Sequence, residues 1–308
     1  SAVGLGNLWR FPYLAAKYGG GIFLLVYLVL VVTFGFALMA GEIALGRKTG
    51  LSAIGAFQKL NKKWKFLGIL TSLVPIIILP YYSVIGGWVM KYFSVFVTGQ
   101  MGAAAEETYF GNFTGELVEP IGWFFLFMGI TAVIVFFGVE KGIEKASRFM
   151  MPALVVLTIG VTAFVLFQPG AMEGVAYYFT PDFSKFSSET VLAALGQLFY
   201  SMSLAMGIMI TYGSYMKKDV DLEKSVKQIE IFDTGFAFLA GLMIVPAVTI
   251  FGDLSKMNTG PGLMFVTLPG VFNKMGNVLG PIVGALFFLL VFFAALTSSI
   301  SLMETVVS

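Results

Sequence analysis

The stretch Ser1-Ala2-Val3-Gly4-Leu5-Gly6-Asn7-Leu8-Trp9-Arg10-Phe11-Pro12 is an apolar run interrupted by two glycines, with an amide and a guanidinium where lipid-facing residues would be expected. A second interrupted run lies far along the chain, Gly196-Gln197-Leu198-Phe199-Tyr200-Ser201-Met202-Ser203-Leu204-Ala205-Met206-Gly207. A break in a helix exposes backbone N–H and C=O groups that hydrocarbon cannot satisfy, so it is tolerated only where protein or a cavity surrounds it. Two breaks in corresponding positions of two halves point to a binding site near the bilayer midplane. Helix N-termini at such a site favour a carboxylate, and C-termini with free carbonyls favour a cation.

Composition agrees with a membrane setting. Hydrophobic residues make up 58% of the 308, charged residues 12% and aromatic residues 16%, and the mean hydropathy is +0.90. That is too apolar for a soluble domain. Apolar runs of about 18 residues or more recur, the length that crosses ~30 Å of hydrocarbon, so the chain reads as an all-α polytopic membrane protein in a lipid bilayer. A net charge of +2 gives no sign of a nucleic-acid partner. The lack of Cys excludes disulfides and thiolate metal sites, and the lack of His removes the commonest proton shuttle. No Ser-His-Asp set, metal cluster or phosphate-cradling loop motif is present, which speaks against an enzyme. The chain starts inside its first span with no signal peptide and stops abruptly at Ser308, as an excerpt of a longer protein would.

After the first span, further spans are expected over about 22–45, 66–97, 120–139, 149–167, 190–216, 228–251 and from about 277 onward. The loops after spans 2, 4 and 6 (47–65, 140–148 and 217–227) hold 13 of the 19 Lys and Arg residues, and those after spans 3, 5 and 7 hold three. The positive-inside rule makes the first group cytoplasmic and puts the N-terminus on the same side. A multi-pass protein of the plasma membrane is expected.

The polar residues within the spans carry the chemistry, and by type alone each has two readings. Asn7 could ligate a cation or bond a neighbouring helix. Tyr81-Tyr82, behind Pro80, could bind a ligand or pack. Ser201 and Ser203 could ligate or allow close helix packing. Ala294, Thr297 and Ser298 share one helix face, where the hydroxyls could point at one ion or bond back to their own helix. Hard cations take oxygen ligands of these kinds. Arg10, Glu42 and Asp233 are ionisable residues deep in spans, where charge is costly and usually functional. Gly142 and Pro152, separated by nine residues, could mark local unwinding at the start of span 5, or a loop glycine followed by a helix-start proline.

Gly4 to Pro12 fits, at every fixed position, the G-x-G-N-x-W-R-F-P signature of the neurotransmitter:sodium symporters. The resemblance continues through Tyr81-Tyr82, residues 196–215 and Leu296-Thr297-Ser298-Ser299, so it covers nearly the whole chain. It implies an inverted five-helix repeat with helices 1 and 6 broken: 1–168 as the first repeat and 190–308 as an incomplete second one, truncated within helices 1 and 8. It implies sodium-coupled symport of an amino acid by alternating access, with two sodium sites.

Residue by residue, the resemblance implies a first sodium held by Ala2, Asn7 through its amide oxygen, Ser201 and Asp233, and a second held by Val3, Ala294, Thr297 and Ser298. Substrate would meet Ser1, Ala2, Leu5, Gly6, Ile78, Tyr82, Tyr200, Ser201, Ser203, Met206, Ser298 and Leu302, with the Tyr82 hydroxyl donating to its carboxylate. Arg10, Gln197, Tyr200 and Tyr215 would serve as gates, and Glu42 would brace the unwound part of helix 6. Related transporters also unwind helix 5 at its Gly–Pro pair. Monoamine carriers place an Asp where this chain has Gly4, so an apolar or aromatic amino acid is the expected substrate. Many relatives have Asn at the position of Asp233 and a chloride-binding Ser at that of Ala237, so no chloride requirement is expected. Two other functions share such a site: a non-transporting amino-acid sensor, and an uncoupled channel.

Overall fold

The computed structural model describes residues 3–251 and 260–308. A π-turn over Gly6–Arg10 leads into α1 (Phe11–Lys17), and α2 (Gly21–Thr49) carries a second π-turn at Val31–Gly35. Next come α3 (Ala53–Leu60), α4 (Lys65–Val97), α5 (Met101–Ala104), α6 (Glu107–Gly115) and α7 (Val118–Phe136). A π-turn at Val139–Glu144 opens α8 (Lys145–Leu166), followed by α9 (Ala171–Phe179), α10 (Ser188–Ser201) and α11 (Ile208–Tyr215). The series ends with α12 (Leu222–Phe251), α13 (Leu268–Lys274) and α14 (Leu279–Val307). Six of the described helical segments are long and apolar enough to cross a membrane. The pair α10–α11 forms a further, interrupted span.

The expected spans are all present, and the departures lie at their ends. Four expected loops contain helices: α3, the pair α5 and α6, α9, and α13. The α12 helix starts at Leu222 rather than near 228, because the Asp221 carboxylate accepts from the Lys224 N–H at 3.1 Å and caps the extra turns. The expected basic loop at 140–148 is helical instead. Gly142 makes this possible, since a Cβ there would collide with the Ile134 carbonyl. Pro152 sits inside α8, so the Gly142–Pro152 stretch is wound in this conformation and neither sequence reading describes it.

Glycines set the closest helix approaches. Gly46 of α2 lies against the Ile210 carbonyl of α11, and Gly213 of α11 lies against the Ile43 carbonyl of α2. These reciprocal contacts press the C-terminal half of the broken helix onto α2, the small-residue packing that membranes favour. The α14 helix packs along α4, with Gly284 on the Phe96 ring. At the opposite end the Tyr177 hydroxyl donates to the Ala16 carbonyl at 2.6 Å, tying α9 to the end of α1. The two interrupted helices are thus held at the centre of a scaffold of continuous ones.

Candidate functional site

The interrupted helices meet at their breaks. Gln197 Nε2 donates at 3.1 Å to the Gly6 carbonyl, which also accepts from the Phe11 N–H of the π-turn. Past Ser201 the chain leaves the helix, with Ser203 at φ 54° and Ala205 at φ 59°. Left-handed geometry costs a residue with a side chain about 1–3 kcal/mol, so the surroundings must hold it. Glu42 supplies part of that hold: its Oε1 accepts from the Ala205 N–H at 2.7 Å.

Beside this break lies a corner built around an acid. Asp233, fully buried on α12, accepts from Asn7 Nδ2 at 2.8 Å. It also accepts from the Ser201 hydroxyl, at 2.8 Å to Oδ1 and 3.0 Å to Oδ2, and from the Tyr27 hydroxyl at 3.4 Å. Three of the expected ligands of the first sodium are therefore side by side; the fourth, Ala2, and the substrate residue Ser1 lie outside the described residues. Asn7 departs from expectation. Its amide oxygen accepts from the Gly4 N–H at 3.0 Å, while its NH2 group faces Asp233 and Ser201. Turning the amide over would bring Oδ1 to the side of the Asp233 and Ser201 oxygens.

The second corner contains no acid. The Val3 carbonyl accepts from Thr297 Oγ1 at 3.2 Å and Ser298 Oγ at 3.4 Å, and Thr297 Oγ1 also donates to the Ala294 carbonyl at 3.0 Å. All four residues expected at the second sodium converge here. They form a cluster of neutral oxygens, the ligand type hard cations take. No group of three or more acidic residues suited to a metal occurs among the described residues.

Between the corners is a cavity of about 20 Å³, lined by Gly4, Gly6, Asn7, Ile78, Tyr82, Tyr200, Ser201, Ser203, Met206, Ile208, Ser298 and Leu302. A space of that size is about that of one water molecule, so an amino acid enters only if the walls move apart. Of the expected substrate residues Leu5 does not line the cavity; its side chain packs into the core. The sequence reading missed Ile208 as a wall and Tyr27 as a partner of Asp233, since neither belongs to a motif. It also missed two buried acids, Glu230 and Glu304, which a search for every carboxylate within apolar spans would have found. Gly4 closes the cavity roof. A Cβ there would strike Ser298 Oγ and come within 3.1 Å of the Tyr82 hydroxyl.

At one end of the cavity the Tyr200 ring lies tilted by 34° against Tyr82 with centroids 6.5 Å apart, and the Arg10 guanidinium sits 5.6 Å from the Tyr200 ring centre. Arg10 also donates to the Gly196 carbonyl at 3.3 Å. Arg10, Gln197 and Tyr200 therefore cluster over the site. Tyr215 does not join them. It lies at the far end of α11, where its hydroxyl donates to Glu304 at 2.6 Å beside a Tyr212–Ser301 hydrogen bond of 2.8 Å.

The sequence model of the "Sodium:neurotransmitter symporter family" matches residues 1–113 and 113–308. A Bacillus subtilis protein described as an uncharacterized sodium-dependent transporter, YhdH, is 37% identical over all of this chain and 68% of its own length. An uncharacterized sodium-dependent transporter of Haemophilus influenzae is 33% identical over 100% of this chain and 70% of that protein. Among solved structures, MhsT in complex with L-phenylalanine superposes with a TM-score of 0.89 at 42% identity, covering 99% of this chain and 70% of MhsT.

Proposed function

Because the chain belongs to the sodium:neurotransmitter symporter family, whose relatives here are sodium-dependent transporters and not enzymes, we propose that it carries an amino acid with an apolar or aromatic side chain across a membrane together with two sodium ions. The cavity between the two oxygen corners is the substrate site. The observation that carries the substrate class is Gly4 pressed against Ser298 and Tyr82. No carboxylate fits at position 4, so the substrate brings its own carboxylate into the cavity. Ile78, Met206, Ile208 and Leu302 surround its side chain, each buried methylene contributing about 0.8 kcal/mol. The complex with L-phenylalanine formed by MhsT is in keeping with this chemistry.

The narrow cavity supports alternating access. Arg10, Gln197 and Tyr200 close one end, Tyr215 and Glu304 close the other, and substrate passes when one end opens at a time. The loop charges put the Tyr215 end and the N-terminus in the cytoplasm, with the protein in the plasma membrane. Residues 1–168 and 190–308 then represent the two inverted repeats. Transport needs no chloride. Two sodium ions in a low-dielectric site call for a compensating negative charge, which Asp233 supplies, while buried Ala237 offers an anion no hydrogen bond.

Counterflow of labelled amino acid in sodium-loaded proteoliposomes tests the reading on the whole protein. Exchange is expected. Binding without exchange would identify a sensor, and flux without exchange a channel. Preference for dopamine or serotonin over leucine, tryptophan and tyrosine would defeat the substrate assignment. Tyr82→Phe is expected to weaken substrate binding while leaving the fold intact, as read by thermal melting.

A further inference from the structure

We propose that the corner between α7 and α8 binds the headgroup of an anionic phospholipid. The proposal rests on the membrane setting and is independent of the transport cycle. An open groove of about 650 Å³ is lined there by Phe137, Lys141, Glu144, Lys145 and Arg148. Lys141, Lys145 and Arg148 follow one another at intervals of four and three residues, the spacing that puts side chains on one helical face. One carboxylate, Glu144, opposes the three cations and pairs with Arg148 at 2.7 Å. Among the described residues no side chain pairs with Lys141 or Lys145, and the residues that line the groove carry three cations against one carboxylate.

Some residues of the other basic segments bond within the protein. Arg47 donates to the Lys218 carbonyl, Lys59 donates to the Thr49 carbonyl at 2.9 Å, and Lys227 pairs with Glu223 at 2.6 Å. The α7–α8 corner is different because its cations face a shared concave space.

Its height in the bilayer points to a lipid. The groove lies where the apolar run of α7 ends and that of α8 begins. Around it Phe136 is 87% exposed, Phe137 61% and Phe149 70%. Aromatic rings cluster at the level of lipid headgroups, and basic pockets between spanning helices bind anionic headgroups. A phosphate held by Lys141, Lys145 and Arg148 would place its acyl chains over these rings. A free phosphate would gain nothing from the phenylalanines and would meet three flexible, hydrated side chains. The close fit of Gly142 against Ile134 fixes the backbone that presents the cations.

The test uses the whole purified protein and measures retention of phosphatidylglycerol against phosphatidylcholine by native mass spectrometry. Phosphatidylglycerol is expected to be retained at least about tenfold better. Lys141→Gln combined with Lys145→Gln should remove most of that preference, while Glu144→Gln should increase it. Millimolar inorganic phosphate should not displace the lipid. Melting in phosphatidylcholine checks folding, and if the double variant fails to fold, Glu144→Gln decides. Equal retention of the two lipids, an unchanged preference in the double variant, no gain with Glu144→Gln, or displacement by phosphate would each overturn the proposal. A protein that shows the preference but does not transport would leave this inference standing while removing the one above.

Discussion

The two oxygen corners flanking the cavity solve one problem in different ways. Around Asp233, a buried carboxylate is surrounded by three hydrogen-bond donors from α2, α10 and the helix 1 segment. Around Val3 the oxygens are all neutral and come from only two segments. A full charge in a low-dielectric interior acts strongly and needs a tight ring of partners, whereas neutral dipoles hold a cation only when several are aimed together. The acidic corner should therefore set the strength of sodium binding, and the neutral corner its geometry. Gly4 belongs to both: its N–H donates to Asn7 on one side, and its Cα rests beside Ser298 on the other.

The largest effect is expected from breaking that shared point. Gly4→Ala puts a methyl group into Ser298 Oγ, and overpacking of this kind costs about 1–3 kcal/mol. Substrate binding should weaken ten- to hundredfold, with sodium binding impaired at both corners, as measured by isothermal titration of the whole protein. Unchanged affinity would mean that the corners are not joined through Gly4.

Asp233→Asn comes next and acts on the charged corner alone. Sodium affinity should fall about tenfold, equivalent to ~1.4 kcal/mol, and adding Ala237→Ser should create partial dependence on chloride. The unmutated protein should take up substrate equally in chloride and in gluconate. Chloride stimulation of that uptake would break the comparison, whatever the variants do.

A smaller change is expected from Thr297→Val, which removes one neutral oxygen at the other corner. A single such interaction is worth about 1 kcal/mol, so sodium affinity should fall roughly fivefold with no chloride response. If this variant proves worse than Asp233→Asn, the neutral corner is the stronger site.

The smallest effect belongs to Glu42→Gln, which keeps an acceptor for the Ala205 N–H but removes its charge. Because charge-assisted hydrogen bonds are about twice as strong as neutral ones, melting should drop slightly and transport fall roughly two- to threefold. Glu42→Ala, which leaves that N–H unpaired, should be clearly worse.

Much of this arrangement is written in local sequence. Gly207 announces a break because glycine adopts left-handed backbone without strain, and the hydroxyls at 297 and 298 share a helix face by spacing alone. The contents of the loops were less legible. The α3, α6 and α9 helices are short, and one of them, α9, is held by contacts such as Tyr177 to Ala16 that join distant segments. Tyr27 gave no signal either, since a tyrosine in an apolar span reads as packing until Asp233 is placed opposite it.

The sequence by itself determined the membrane setting, the number and order of the spans and the location of the two breaks. Those features follow from runs of apolar residues and their interruptions, which are properties of neighbouring positions. Only the tertiary structure decided that Asn7 turns its NH2 group toward Asp233, that Tyr215 pairs with Glu304 away from the Arg10 cluster, and that the 140–148 segment is helical. Each of these depends on which oxygen or carbonyl lies opposite across a helix contact. Hydrogen bonds reach only about 3 Å, so partners distant in sequence are chosen by packing.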